Sequence, residues 1–281
     1  MQDMNSTICN IVELLDSVLQ VIDIRDDKVY RIAKLRDGHC WMTQNLDLDI
    51  DETKIYTHWN TDLGWTANDE NANWQPMEGH STIAFSGETV DGWTGSKTEP
   101  YSANPGEIYY YPSSYSAYLD EKYNSLQNCQ SYGRTDCEHR HAGNYYNWPA
   151  TVAGNNVSQT GSGNAPNSIY PASWKLPSTS SNEFGELLIK QSIITSATGS
   201  GKIFSEDGVN NLRIKPLFFL LTGYIGSGKL TYPGRTAYYW SSTSYDESFA
   251  GNLYFIEDNI YPRYQYNLSK SAGFPVRCLA R

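Results

Sequence analysis

The sequence contains no apolar run of the roughly 18 residues that a membrane helix needs, so no helical span is predicted. Cations are scarce: 21 Lys and Arg stand against 31 Asp and Glu, a formal net charge of −10. Gripping a phosphate backbone takes clustered Lys and Arg, so nucleic acid is excluded as a partner. The opening Met1-Gln-Asp-Met has neither the basic nor the apolar part of a secretory leader, and none is predicted in the chain as it stands. The five cysteines include no CxxC pair, which excludes a zinc ribbon or a thioredoxin-type motif. Nucleophile motifs are missing too. Gly-x-Ser-x-Gly does not occur, Ser162 in Gly161-Ser-Gly163 reads as a flexible loop, and five scattered histidines define no Ser-His-Asp order. Gly223-Tyr-Ile-Gly-Ser-Gly-Lys229 ends on a lysine, but Leu230 stands where a phosphate-binding loop needs Ser or Thr, so this is a turn between strands. The expectation is a non-enzyme with no catalytic residues.

What is abundant is tyrosine, 22 in 281 residues, with many Asn, Ser, Thr and Gly. That composition with few lysines suggests an exported protein, extracellular or on the cell surface, in which disulfides are permitted. Cys129 and Cys137 enclose a short polar loop and form one natural pair. Cys9 and Cys40 can tie the first helix to the first strand region, and Cys278 is left over. Reduced cysteines are the alternative. With no repeats and no linker, residues 1–281 read as a single domain.

Along the chain, Ile8, Ile11, Val12, Leu14, Leu15, Val18 and Leu19 recur near the helical period and predict a helix over 6–20, filling an N-terminal unit of residues 1–20. Asn5 or Ser6 can cap it. Residues 21–35 predict two strands around an Asp26-Asp27 turn. Trp41, Met42, Leu46, Leu48 and Ile50 are core candidates. Residues 51–142 predict long ordered loops pinned by Trp59, Trp65, Trp74 and Trp93, because disordered segments lack so many aromatics. Ser180 with Glu183 three residues on is a capping-box pattern, and Phe184, Leu187 and Leu188 give the buried stripe of a helix over 181–191. Pro216 to Tyr224 reads as a short apolar strand, Gly226 to Thr236 as a turn-rich connection, and the remainder as three or four strands.

Residues 238–278 carry the candidate site. Trp240, Leu253, Phe255, Phe274 and Val276 read as framework. Tyr245, Asp246, Ser248, Asp258, Asn259, Tyr261, Arg263, Tyr264 and Tyr266 read as one exposed ligand-binding face, because rigid tyrosines mixed with adaptable polar groups are the make-up of a recognition surface. A solvated hairpin with polar loops is the alternative. Nothing suggests a deep apolar pocket, so the expected partner is a protein or glycan on another cell or virus surface.

Two acidic or thiol-rich stretches invite a metal. Cys137-Glu-His-Arg-His141, near Cys129, has zinc-ligand types, but zinc needs four converging N or S ligands and no second pair follows. A loop disulfide with exposed histidines accounts for it better. Asp47, Asp49, Asp51 and Glu52 offer oxygens of the kind calcium takes, without the Gly and Glu of an EF-hand loop. Asp- and Asn-rich loops at 60–71 are equal candidates, and a solvated strand face is the alternative. No cofactor is required, and calcium is the metal these loops would take.

Five landmarks fall in a telling order: Asp23-Ile-Arg-Asp-Asp-Lys-Val-Tyr, Cys40-Trp-Met-Thr-Gln-Asn-Leu, Trp174-Lys-Leu-Pro, Tyr239-Trp-Ser-Ser-Thr and Gly273-Phe-Pro-Val-Arg-Cys278. Together they resemble the major paralogous domain family named for Fibrobacter succinogenes, from about residue 20 to the end. The resemblance implies an α+β, C-type-lectin-like fold with small antiparallel sheets, two main helices and long ordered loops, in a surface or secreted protein. The terminal stretch is similar to the variable region of diversity-generating retroelement proteins, whose adenine-directed mutagenesis turns Asn codons into Tyr, Ser, Asp and similar residues. Most of the nine candidate positions hold such residues, whereas Glu247, Glu257 and Gln265 are not reachable from an AAY codon. Relatives often carry Cys-Pro just before the Trp-x-Leu-Pro motif as partner of the terminal cysteine. Here Ile169-Tyr170-Pro171 stands in that place, which implies that Cys278 is not bridged. Formylglycine-generating enzymes share this fold class and are one alternative, but they use a second cysteine near the C-terminus that this chain lacks. A structural surface protein without a specific ligand is the other.

Overall fold

The computed structural model describes residues 1, 4, 6–12, 18–23, 28–46, 145–146, 148–152, 163–165, 170, 173–180, 182–195, 212, 216–226, 229–232, 235–246, 248–256, 259–264, 269–270 and 272–280. Among these, strands dominate and helices are few and short. The helices are α1 (Ser6–Ile11), α2 (Trp148–Thr151) and α3 (Glu183–Lys190). The strands are β1 (Val18–Asp23), β2 (Lys28–Lys34), β3 (Cys40–Met42), β4 (Gly163–Asn164), β5 (Trp174–Lys175), β6 (Tyr224–Gly226), β7 (Lys229–Thr231), β8 (Thr236–Ser244), β9 (Ala250–Ile256), β10 (Ile260–Tyr264) and β11 (Leu279–Ala280). They form an antiparallel sheet in the order β1-β2-β3-β11-β5, a second in the order β10-β9-β8-β4, and the hairpin β6-β7.

The helix predicted over 6–20 is corrected: it ends at Ile11, and Val18–Asp23 is already a strand, paired residue for residue with β2 from Val18↔Ala33 to Asp23↔Lys28. The apolar spacing was compatible with either period. What decides is that 18–23 gains a complete ladder on β2, while Cys9 of the short helix is bonded to Cys40 on β3. Met1 closes the curl of this sheet. Its amine donates to Ile22 O on β1 at 2.6 Å, and its carbonyl accepts from Trp174 Nε1 on β5, the opposite edge, at 2.9 Å.

Side chains alternate between the two faces of a strand, and in the central strands both faces are buried, while Leu19, Ile22 and Val29 at the β1–β2 edge are exposed. Tyr30, Ile32, Cys40, Met42, Trp174, Tyr238, Trp240, Phe274 and Cys278 fill one core. Ala33, Trp41, Tyr239, Leu253, Phe255, Ile260 and Leu279 fill the other, with Phe184, Leu187 and Leu188 of α3. The framework residues Trp240, Leu253, Phe255, Phe274 and Val276 are all fully buried, and so are Trp41, Met42 and Leu46. Among the described residues each buried indole N–H is satisfied: Trp41 on Asp37 Oδ2, Trp148 on Ser241 O, Trp174 on Met1 O and Trp240 on Tyr146 O. That is how so many tryptophans can be buried at no polar cost.

Two further expectations are corrected. Leu217–Leu221 is buried but is not a strand. Its carbonyls at 217 and 218 accept from the Arg277 guanidinium, and both backbone groups of Leu220 bond the Tyr239 hydroxyl. Side chains thus take the partners a ladder would have supplied, and Phe218 adopts a positive φ of 50°. The helix at 181–191 exists as Glu183–Lys190, but Ser180 does not cap it. Asn182 holds the cap position in a left-handed conformation with no side-chain bond. Glu183 reaches back instead to the Ser178 N–H at 2.6 Å and pairs with the Lys175 ammonium, while the Ser180 hydroxyl turns to Asn164.

Candidate functional site

β8, β9 and β10 form a meander, and the candidate residues sit at its turns and on its outer strand. Tyr245, Asp246 and Ser248 lie on the β8–β9 turn, Asn259 on the β9–β10 turn, and Tyr261, Arg263 and Tyr264 on β10. Asp246, Ser248 and Arg263 are exposed, and Tyr245, Asn259 and Tyr261 half-buried. Asp258 and Tyr266 lie outside the described residues, as do Cys129, Cys137, His139, His141, Asp47, Asp49, Asp51, Glu52, Leu48, Ile50 and the four tryptophans from 59 to 93.

The two turns are not neighbours. They occupy opposite ends of the seven-residue β9, about 20 Å apart at some 3.3 Å per residue. β10 then runs back: Tyr261 pairs with Tyr254 and, past a bulge, Tyr264 with Asn252. The structure therefore brings Tyr245, Asp246 and Ser248 together, strings Tyr261 to Tyr264 along the sheet edge toward them, and leaves Asn259 at the far end. β10 is an outer strand, and Pro262 within it has no N–H to offer, which edge positions tolerate.

An aromatic ladder ties this edge to the core. Ring centroids run Trp240 to Phe274 at 4.0 Å, Phe274 to Tyr238 at 4.9 Å, Tyr238 to Tyr254 at 4.6 Å and Tyr254 to Tyr261 at 5.3 Å, all stacked. Such cross-strand aromatic pairs stiffen a sheet beyond their burial. Tyr261 is thus an anchored ring with one end in the open, the kind of rigid contact a recognition surface uses.

The β8–β9 turn is built from polar bonds. Asp246 Oδ1 accepts from the N–H groups of Ser248 and Phe249, both at 2.7 Å, and Tyr245 N donates to Phe249 O at 3.0 Å. The Tyr245 hydroxyl lies 3.0 Å from Thr179 Oγ1. Thr179 belongs to a loop pinned onto β8: Thr243 Oγ1 accepts from Thr179 N at 3.0 Å and donates to Asn164 Oδ1 at 2.7 Å, and Ser242 N donates to Pro177 O at 2.8 Å. Gly251 leaves room for this, since a Cβ there would stand 2.4 Å from Thr179 Oγ1.

Asn164 and Thr179 thus shape the turn, Lys270 bonds Ser244 Oγ and the Asp246 carbonyl within it, and the sequence reading missed all four. Lys270 had one visible signal, a single cation in the otherwise uncharged run Asn267–Gly273. Among the described residues there is no cluster of metal-ligating side chains and no helix long and apolar enough to cross a membrane.

Cys9 and Cys40 form a disulfide with Cα atoms 5.7 Å apart. Cys278 is a buried thiol outside any disulfide, with Sγ 3.2 Å from Met42 Sδ. Tyr170, fully buried, lies close enough to Cys278 for the thiol to act on its hydroxyl. Burial, then Cys278, push the Tyr170 hydroxyl well above its ordinary range. Burial also raises Tyr239, against the opposing pull of Arg277 and the bonds from Leu220 and Asn45. No protein-family model, no curated protein and no solved structure matches the chain.

Proposed function

We propose that this chain is a ligand-binding protein of the Fibrobacter succinogenes major paralogous domain kind, with a C-type-lectin-like scaffold that displays a changeable recognition surface from its C-terminal strands. One observation carries the reading: the motif residues interlock as a buried frame, and six of the nine candidate residues stand exposed or half-buried beside it. Arg277 bonds Asn45, Asn45 bonds Tyr239, and Ser242 bonds Pro177, so four of the five landmarks meet through direct hydrogen bonds. Asp23, in the fifth, is buried in the strand that pairs with β2. Between the last two landmarks lie the exposed or half-buried Tyr245, Asp246, Ser248, Asn259, Tyr261 and Arg263. A rigid frame carrying adaptable turns is the division of labour that binding loops need. The partner is a protein or glycan surface, met by flat contact with tyrosine and arginine anchors.

The test is sequencing of the DNA around the coding region. A reverse-transcriptase gene and a near-copy of the terminal coding stretch, differing at adenines, is the expected finding. Their absence removes diversification from the reading and leaves a fixed binding or structural surface.

A further inference from the structure

The turn that carries Tyr245, Asp246 and Ser248 is held from beneath by a buried cation. Lys270 is 0% exposed. Its ammonium donates to Ser244 Oγ at 2.7 Å and to the Asp246 carbonyl at 2.5 Å, and stands 4.5 Å from the centroid of the Trp148 ring. Its own backbone is part of the same clamp: Lys270 N donates to Ser248 O at 2.8 Å, and Lys270 O accepts from Trp148 N at 2.9 Å. Phe249 and Ser269 form an isolated antiparallel bridge alongside. A buried ammonium is costly unless its protons are bonded, and here the turn supplies acceptors for it. From the outer side the turn is closed by Asp246 Oδ1 on the two N–H groups of Ser248 and Phe249.

We infer that Lys270 and Asp246 are positioning residues of the recognition surface. The Lys270 ammonium holds the Ser244 hydroxyl and the Asp246 carbonyl from below, the Asp246 carboxylate locks 248 and 249 from above, and Tyr245 and Ser248 are the side chains displayed at this end. This rests on reading the C-terminal turns as a binding surface, and it reassigns Asp246 from contact to support. It follows that position 246 accepts Asn, whose Oδ1 offers the same acceptor, and rejects Ala and Tyr, which offer none. It also follows that Lys270 and Ser244 stay fixed where neighbouring positions vary.

The experiment is hydrogen–deuterium exchange on the full chain, with nitration of Tyr245 by tetranitromethane mapped by mass spectrometry. Asp246→Ala and Lys270→Met are expected to speed exchange at the Ser248 and Phe249 amides by about tenfold or more, and to raise Tyr245 nitration, with β1–β3 unchanged. Asp246→Asn is expected to stay within about twofold of the parent at the same amides. Should Lys270→Met fail to fold, the Asp246 pair and Ser244→Ala decide alone. Unchanged exchange in Asp246→Ala, or Asp246→Asn behaving like it, overturns the inference. Because no ligand is used, these results stand apart from the genomic test of the binding reading.

Discussion

Arg277 donates from Nε to Asn45 Oδ1 at 2.8 Å, joining the last landmark of the chain to the second. The same fully buried guanidinium bonds the carbonyls of Leu217 and Phe218 and lies 4.4 Å from the Phe219 ring centroid. Arg277→Met removes the donors and leaves those acceptors buried. A hydrogen bond to a charged group is worth about 1.5–3 kcal/mol, so a loss of about 3 kcal/mol or more is expected in urea denaturation. Arg277→Lys should recover little of it, because one ammonium cannot reproduce the planar fork. Full stability in either variant would mean that Arg277 does not tie these segments together.

Gly251 and Thr179 offer a paired test. Gly251→Ala puts a methyl 2.4 Å from Thr179 Oγ1 and 2.9 Å from its Cγ2. Overpacking of this kind costs about 1–3 kcal/mol. Thr179→Ala in the same chain removes two of the three obstructing atoms, leaving Ser241 Oγ at 2.9 Å. A double-mutant cycle should therefore show the two changes together costing less than their sum. Simple additivity would place the two residues out of contact.

Reduction of Cys9–Cys40 frees α1 from β3. Cross-linking across a sequence separation of 31 is worth about 3–4 kcal/mol on the chain-entropy account. A Cys9→Ala chain, or the reduced parent, should show a lower urea midpoint by the corresponding amount. Cys278 is buried and should react with a thiol reagent only after denaturant is added. Rapid labelling in the native state would contradict its burial.

Stability should also fall in alkali. The hydroxyls of Tyr170 and Tyr239 are raised above 10.0 in the folded chain by burial. The folded state then holds protons that the unfolded state releases. Their contribution is complete below about pH 10 and is lost as pH rises through the folded values. A titration at 295 nm should show a set of tyrosines that includes Tyr170 and Tyr239 ionising only as the fold is lost, and Tyr170→Phe should move the alkaline transition upward. Both rings titrating with the exposed tyrosines would refute the assignment.

The strands around Asp26-Asp27, the core positions Trp41, Met42 and Leu46, and the stripe Phe184, Leu187 and Leu188 were legible because alternation and helical spacing are local signals. The first helix was overread because Val18 and Leu19 satisfy the helical period as well as the strand period, and only β2 chooses between them. Leu217–Leu221 looked like a strand because burial was visible and Arg277, distant in sequence, was not. The site was legible as composition, not as geometry. Nothing in the order of residues says that Asp246 spends its carboxylate on its own turn, or that β9 holds Asn259 some 20 Å from Tyr245.

β11 enters the five-stranded sheet between β3 and β5, with Leu279 opposite both Trp41 and Lys175. In time, that makes the fold a late event. A ribosome delivers the first strands long before Leu279, and until it emerges β3 and β5 have no strand between them. Non-local pairing of this kind folds slowly, and the waiting chain exposes two apolar faces that a nascent protein must keep from its neighbours. Of the strands in this sheet, β11 is made after all the others and is the one that finishes it.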